Sequence, residues 1–209
     1  MSEKVDMLMQ RLDVTRKGAQ RIADILEAGV DILREQGFTA LTKRRIAKRL
    51  GISDGNVGYY FPTRESLWAG VIDYEVKTYY DRQYAGFTAP LDDADARFDE
   101  FVRSWFKEYE DRDLRIFFAQ LLAFAEVSPF VAQQRDEIYE MYYRETLDRI
   151  RALAPGVGED ELQRRTSLVV ALLEGLHAVT GFKPELMRSG AVFADELVEQ
   201  AKAIATGRK

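Results

Sequence analysis

Residues Leu41–Phe61 read LTKRRIAKRLGISDGNVGYYF, and the organisation of the chain follows from this stretch. It holds two helical spans, each too short to be stable alone, joined across Gly51, which is the pattern of a docked helix-turn-helix. Such a crossing needs a small residue midway along the first helix, a residue free to take positive φ at the turn, and apolar residues that pin the second helix. Ala47, Gly51, and then Ile52 and Val57 supply these. Ile46 and Leu50, four apart, share the inward face. Lys43, Arg44, Arg45, Lys48 and Arg49 fall opposite, where the expectation is that all five face water or phosphate.

Upstream, Ala19, Ile22, Ala23, Leu26, Val30 and Leu33 recur at three and four, predicting an amphipathic helix from about Thr15 that Gly37 stops. Phe38 and Leu41 close its end with apolar contact. Thr42 and Ser53 are placed to cap the two helices of the turn motif. Pro62 breaks the third helix and Thr63 caps a fourth, from about Arg64 to Tyr84. Beyond a break at 86–93, apolar periodicity predicts helices over Phe98–Tyr109, Leu114–Ala125, Ser128–Ile150, Glu159–Phe182 and Leu186–Ala205. The predicted fold is all-α with about nine helices. Its domains are an arm at 1–14, a helix-turn-helix domain at 15–62, and a helical body at 63–209 entered through the linking helix 63–84. A short helical piece is expected within the arm, around Val5–Leu12.

Composition narrows the chemistry. Of 209 residues none is cysteine and one, His177, is histidine, which removes disulfide, zinc-ribbon, thiol and histidine-triad chemistry and leaves no expected metal or cofactor. No apolar run approaches the ~18 residues of a membrane span, and no secretory signal opens the chain, so the expected location is cytoplasmic, away from any membrane. The net charge of −5 is unevenly spread: residues 1–65 hold 12 Lys and Arg against 9 Asp and Glu, and the rest hold 18 against 26. The basic excess lies with the turn motif, and the acidic body would be repelled from a polyanion.

Three quoted segments, GFTALT at Gly37–Thr42, IAKRLGIS at Ile46–Ser53 and YYFPTRESL at Tyr59–Leu67, resemble in order and spacing the TetR family of transcriptional regulators. The likeness extends over roughly Thr15–Val76. It implies a ligand-responsive regulator, a repressor that binds a double-stranded, pseudo-palindromic DNA operator as a homodimer and leaves it when a small effector binds and shifts the fourth helix. It also implies DNA contacts at Thr42, Lys43, Arg44, Ser53, Gly55, Asn56, Gly58, Tyr59, Tyr60 and Arg64, with Arg44 against a base and Arg64 against phosphate. Gly58 departs from the family, standing where many members carry a phosphate-binding tyrosine, and Tyr60 stands where many carry histidine. Asp54 is expected to cap its helix, and Tyr60, three past Val57, to pack inward.

For the body, the resemblance implies an effector pocket. Twenty of the 24 aromatic residues lie beyond residue 65, and Trp105, Phe117, Phe124, Phe130, Tyr139 and Tyr142 are the expected lining, suited to an apolar or aromatic ligand. The family pairs its last two helices, so the dimer interface is expected at Leu168, Ala171, Leu172, Gly175, Leu176 and Val179 of the eighth helix and Val198, Ala201 and Ala205 of the ninth. His177 is expected to be buried or at that interface. Two alternatives stand: a TetR-like protein that acts through protein partners without DNA, and an enzyme using the carboxylates of Asp92–Asp95 or Glu108–Asp113.

Overall fold

The computed structural model describes residues 16–208, apart from 86, 89, 91, 109, 110 and 183–189. The expected arm and its helical piece around Val5–Leu12 lie outside the described residues. Nine α-helices and no strand occur among those that are described: α1 Arg16–Gln36, α2 Lys43–Leu50, α3 Asp54–Tyr60, α4 Arg64–Tyr84, α5 Ala94–Glu108, α6 Arg112–Ala125, α7 Pro129–Leu153, α8 Glu159–Phe182 and α9 Gly190–Thr206. The opening of the last expected helix, at 186–189, falls on residues not described.

Helix starts follow their capping residues. Thr42 Oγ1 accepts from Arg45 N, Ser53 Oγ from Asn56 N, and Thr63 with Ser66 forms a reciprocal capping box. Asp93 Oδ1 accepts from Ala96 N, Asp111 Oδ1 from Asp113 N and Leu114 N, and Ser128 Oγ from Val131 N, which starts α5, α6 and α7. Asp93 and Asp111, raised as enzyme material, are thus capping residues, and Asp95 pairs with Lys202 at 2.7 Å.

Asp54 is a correction: the cap of α3 is Ser53, and Asp54 occupies the first helical position, where its charge meets the positive end of the helix. A single 3-10 turn at Phe38–Ala40 was also not foreseen. Gly37 at φ 80° ends α1, and the turn then buries Phe38 and Leu41 instead of leaving them as a simple apolar cap.

Contacts divide the chain into two compact units. The first contains residues 1–85 and 116–135, so α4 and most of α6 belong with the helix-turn-helix. Its core gathers Ile22, Ile25, Leu26 and Leu33 of α1, Ile46 and Ala47 of α2, Val57 of α3, Leu67, Val71 and Ile72 of α4, and Phe117 and Leu121 of α6, all buried. Two glycines set the spacing of α1 and α4. A Cβ on Gly29 would lie 2.5 Å from Val71 Cγ2, and one on Gly70 would lie 2.8 Å from Phe61 Cε1 and 3.1 Å from Leu26 Cδ2. Only hydrogen fits at either place. The same pair of helices is fastened by Arg34 and Glu75, 2.5 Å apart, with Glu75 only 3% exposed. Trp68 is the other fastener, its Nε1 donating to Leu41 O at 3.2 Å while its ring meets Phe38 and Phe124 edge-on.

The second unit contains residues 86–115 and 136–209. Phe98, Phe101, Val102 and Phe106 of α5 pack with Tyr142 and Ile150 of α7, Val169, Leu173 and Leu176 of α8, and Leu197, Val198, Ala201 and Ala205 of α9. Lys202 on α9 pairs with Asp95 and Asp99 of α5, and Arg103 pairs with Asp195 at 2.5 Å. None of the described helices is long and apolar enough to cross a membrane.

Candidate nucleic-acid interface

The basic face of α2 is narrower than its composition implies. Lys43 donates through Nζ to the carbonyl of Pro62, tying the start of α2 to the end of α3. Arg45 donates to Gln36 Oε1. Arg49 is bidentate to Glu35, at 2.5 and 3.2 Å, and lies 3.8 Å from Asp31; its guanidinium holds the Glu35 carboxyl below the usual range. Among the described residues only Arg44 and Lys48 of the five have no partner within the chain. The expectation of five unengaged cations is therefore corrected. Three of them are drawn off by α1 and by the end of α3, contacts that sequence spacing does not reveal.

The α2 to α3 turn forms as the sequence predicts. Gly51 takes φ 66°, and Ile52 N donates to Ala47 O at 3.0 Å, closing α2. On α3, Val57 alone is buried, and it anchors a helix whose other residues are exposed or half-exposed. Ser53, Gly55 and Asn56 are exposed, and Tyr59 is 63% exposed. Tyr60 is half-buried and meets the Tyr59 ring edge-on at 5.0 Å, so the inward member of the pair is Tyr60 as expected.

Gly58 lies beside the Lys43 side chain, since a Cβ there would sit 3.9 Å from both Lys43 Cδ and Nζ. Its backbone does not require glycine, and the absent side chain leaves Lys43 its path to Pro62. Arg64 is exposed at the start of α4 with its guanidinium 4.3 Å above the Trp68 ring centroid, a cation–π contact that holds the charge at the surface. Thr42, Lys43, Arg44, Ser53, Gly55, Asn56, Gly58, Tyr59, Tyr60 and Arg64 all belong to the first unit. An exposed aromatic, an amide and unpaired cations, carried on a short helix and its neighbour, can meet base edges and phosphates.

The six aromatics expected to line one pocket fall into two groups. Phe117, Phe124 and Phe130 lie in the first unit, with Phe117 fully buried and Phe124 stacked on Phe38 at 5.0 Å. Trp105, Tyr139 and Tyr142 lie in the second unit, with the Trp105 and Tyr142 ring centroids 4.3 Å apart and those of Tyr139 and Tyr142 6.4 Å apart. The Tyr139 hydroxyl donates to Glu174 at 3.0 Å, a contact that sequence reasoning missed because a lone glutamate in an apolar helix gives no spacing signal.

On α8, Leu168, Ala171, Gly175 and Val179 are exposed, Leu172 is half-exposed, and a Cβ on Gly175 would touch nothing within 4 Å. Leu176, Val198, Ala201 and Ala205 are corrections to the expected interface. They are buried within the chain itself, because the inward faces of α8 and α9 close on α5. His177 is half-buried; burial, and then the charge of Arg115, push its imidazole below the ordinary range.

Comparison with known proteins gives a consistent result. Residues 25–71 match the family model described as bacterial regulatory proteins, tetR family. A search of curated proteins finds no match to the sequence. Among solved structures, a putative transcriptional regulator from Pseudomonas aeruginosa PAO1 superposes with a TM-score of 0.74 at 23% identity, covering 88% of this chain and 91% of that one. A TetR transcription regulator from Haloarcula marismortui gives 0.67 at 21% identity, covering 90% and 97%. A putative transcriptional regulator from Saccharomonospora viridis, in complex with choline, gives 0.66 at 20% identity, covering 88% and 94%. At these identities the likeness establishes the fold. The match identifies residues 25–71 with the helix-turn-helix segment of bacterial regulatory proteins of the tetR family, and together with the fold it supports a transcriptional regulator of that kind.

Proposed function

We propose that the chain is a repressor that binds a pseudo-palindromic operator as a homodimer and releases it when a small molecule binds the body. The helix-turn-helix domain is residues 15–62, and residues 63–209 provide effector binding and dimerisation. The observation that carries the DNA half of this reading is the pairing of exposed Tyr59 and Asn56 on α3 with the unpartnered Arg44 and Lys48 on α2. The two copies of α3 would enter successive major grooves about 34–36 Å apart. Arg44 is the base reader in this scheme, and Lys48 and Arg64 hold phosphate.

The dimer half rests on the outward stripe of α8, Leu168, Ala171, Gly175 and Val179, with Leu168 58% and Val179 41% exposed. Apolar and small residues on one exposed helix face suit close packing against a second copy. The effector half rests on the aromatic cluster of α5 and α7 and on likeness to the choline-bound regulator. Small ligands act by preferring one of two states of the dimer.

A gel shift on the DNA upstream of the chain's own gene, repeated over a salt series, tests the reading. Salt-sensitive, saturable retardation at a two-fold site is expected. Equal affinity for that duplex and for random DNA, or no retardation at low salt, would refute it. Leu168→Glu should leave a folded monomer by sedimentation and abolish retardation at the two-fold site.

A further inference from the structure

Glu174 is out of place on α8. It is half-buried beside Leu173 and Leu176, which are buried along with Val169 and Thr166 farther back on the inward face. Thr166 satisfies itself by donating to Leu162 O at 2.8 Å, as a hydroxyl inside a helix can. A carboxylate has no such recourse, because it only accepts. Glu174 receives one hydrogen bond, from the Tyr139 hydroxyl at 3.0 Å, and none of the described cations pairs with it. Burial pushes its carboxyl up, with the Tyr139 bond only partly opposing. Two other shielded glutamates have a cation: Glu75 has Arg34, and Glu145 has Arg149 at 2.9 Å. A shielded carboxylate without a countercharge is costly, and folding alone gives no reason to keep it.

The surroundings point to what supplies the countercharge. Tyr139 touches Tyr142 edge-on, and Tyr142 lies against Trp105 with centroids 4.3 Å apart, so a run of three adjoining rings leads away from the carboxylate through Tyr139. Arg149 of α7 already stands over the Phe101 ring at 4.6 Å and is committed to Glu145. Arg115 acts on His177, one turn along α8, and not on Glu174. Ring faces, tryptophan above all, attract cations when water is excluded, and a single opposed carboxylate fixes the ligand at one positive charge.

We propose that Glu174, Tyr139, Tyr142 and Trp105 form a site for an organic monocation, an amine or quaternary ammonium with a compact apolar body, its charge toward Glu174 and its body on the Trp105 and Tyr142 rings. This rests on the effector reading above and replaces its neutral apolar ligand with a charged one.

Calorimetric titration of the full-length protein with benzyltrimethylammonium, phenethylammonium and the uncharged 2-phenylethanol tests the assignment. At least one cation is expected to bind tenfold or more tightly than the alcohol. Glu174→Gln should lose that preference while binding the alcohol unchanged, and Trp105→Leu should weaken both kinds of ligand with circular dichroism unaltered. An alcohol that binds as tightly as the cations, a preference that survives Glu174→Gln, or the absence of saturable cation binding up to millimolar concentration would each overturn the proposal. Operator binding separates the two levels of inference. A cation that binds with this pattern but leaves operator affinity unchanged removes the effector reading and keeps the site. A neutral compound that releases the operator while the cations do not bind does the reverse.

Discussion

Substituting alanine for each basic residue of α2 in turn should divide the five into two classes by their effect on the salt dependence of operator binding. Lys48 has no partner within the described chain, whereas Arg45 is held by Gln36 and Arg49 by Glu35 and Asp31. Neutralising one phosphate releases counterions worth about 0.9 in the slope of log affinity against log salt, so a residue used once by each of two protomers contributes about 1.8. Between roughly 50 and 200 mM salt that slope is about a 12-fold loss of affinity, which Lys48→Ala no longer suffers. Arg45→Ala and Arg49→Ala should leave the slope within about half a unit of the parent, because their charges are already neutralised against the protein. Arg44→Ala should lower the slope too, and alone of the set it should erode the ratio of operator to random-duplex affinity, by about 1–3 kcal/mol for a lost guanine fork. Fluorescence anisotropy with a labelled duplex over a salt series reads every quantity. A slope that flattens equally for Arg49→Ala and Lys48→Ala would refute the argument from internal partners.

The same chemical change should have opposite signs at two glycines: Gly58→Ala, with nothing closer than 3.9 Å, should stabilise by about 0.4–1 kcal/mol, whereas Gly29→Ala, with Val71 Cγ2 at 2.5 Å, should destabilise by up to about 2 kcal/mol once helix propensity is credited. Thermal melts followed by circular dichroism decide it, since each kcal/mol moves Tm by about 2–4 °C at this length. Arg34→Ala leaves Glu75 buried with only the more distant Arg82, at 4.0 Å, and should cost about 3 kcal/mol in denaturant unfolding, much of which the double variant Arg34→Ala with Glu75→Leu should recover. Glu174→Gln should gain stability over the parent as pH rises from about 4 to about 7. The folded carboxyl is raised, so the folded state binds more protons than the unfolded one in that window and the parent loses stability with rising pH, while the glutamine does not titrate. A constant difference in Tm across those pH values would contradict it.

Local signals carried most of the fold. Thr42, Ser53 and Thr63 announced three helix starts because a cap is a contact within three residues, and Gly37 and Gly51 announced two ends because positive φ is a property of one residue. What escaped was set by partners far along the chain. Arg45 and Arg49 read as exposed cations, yet residues of α1 nine and fourteen positions earlier claim them. Val198, Ala201 and Ala205 present a small-residue pattern that suits either a partner copy or α5, and periodicity does not say which side of a helix is already occupied. The immediate partners of the six aromatics have the same origin. Phe124 and Tyr142 have like spacing and hydrophobicity, but one stacks on Phe38 and the other on Trp105.

The close approach at Gly29 and Gly70 limits how a signal can reach DNA. Each glycine receives a side chain of the facing helix, Val71 of α4 at Gly29 and Leu26 of α1 at Gly70, and Arg34 of α1 pairs with Glu75 of α4. Sliding α4 along α1 would drive Val71 and Leu26 out of the gaps that these glycines leave. The two helices therefore have rotation in common but no translation between them, and α2 and α3 inherit whatever angle α4 adopts. In the proposed scheme, a ligand would then act by tilting α1 and α4 together, and the part that reads sequence would keep its internal packing as it left the groove.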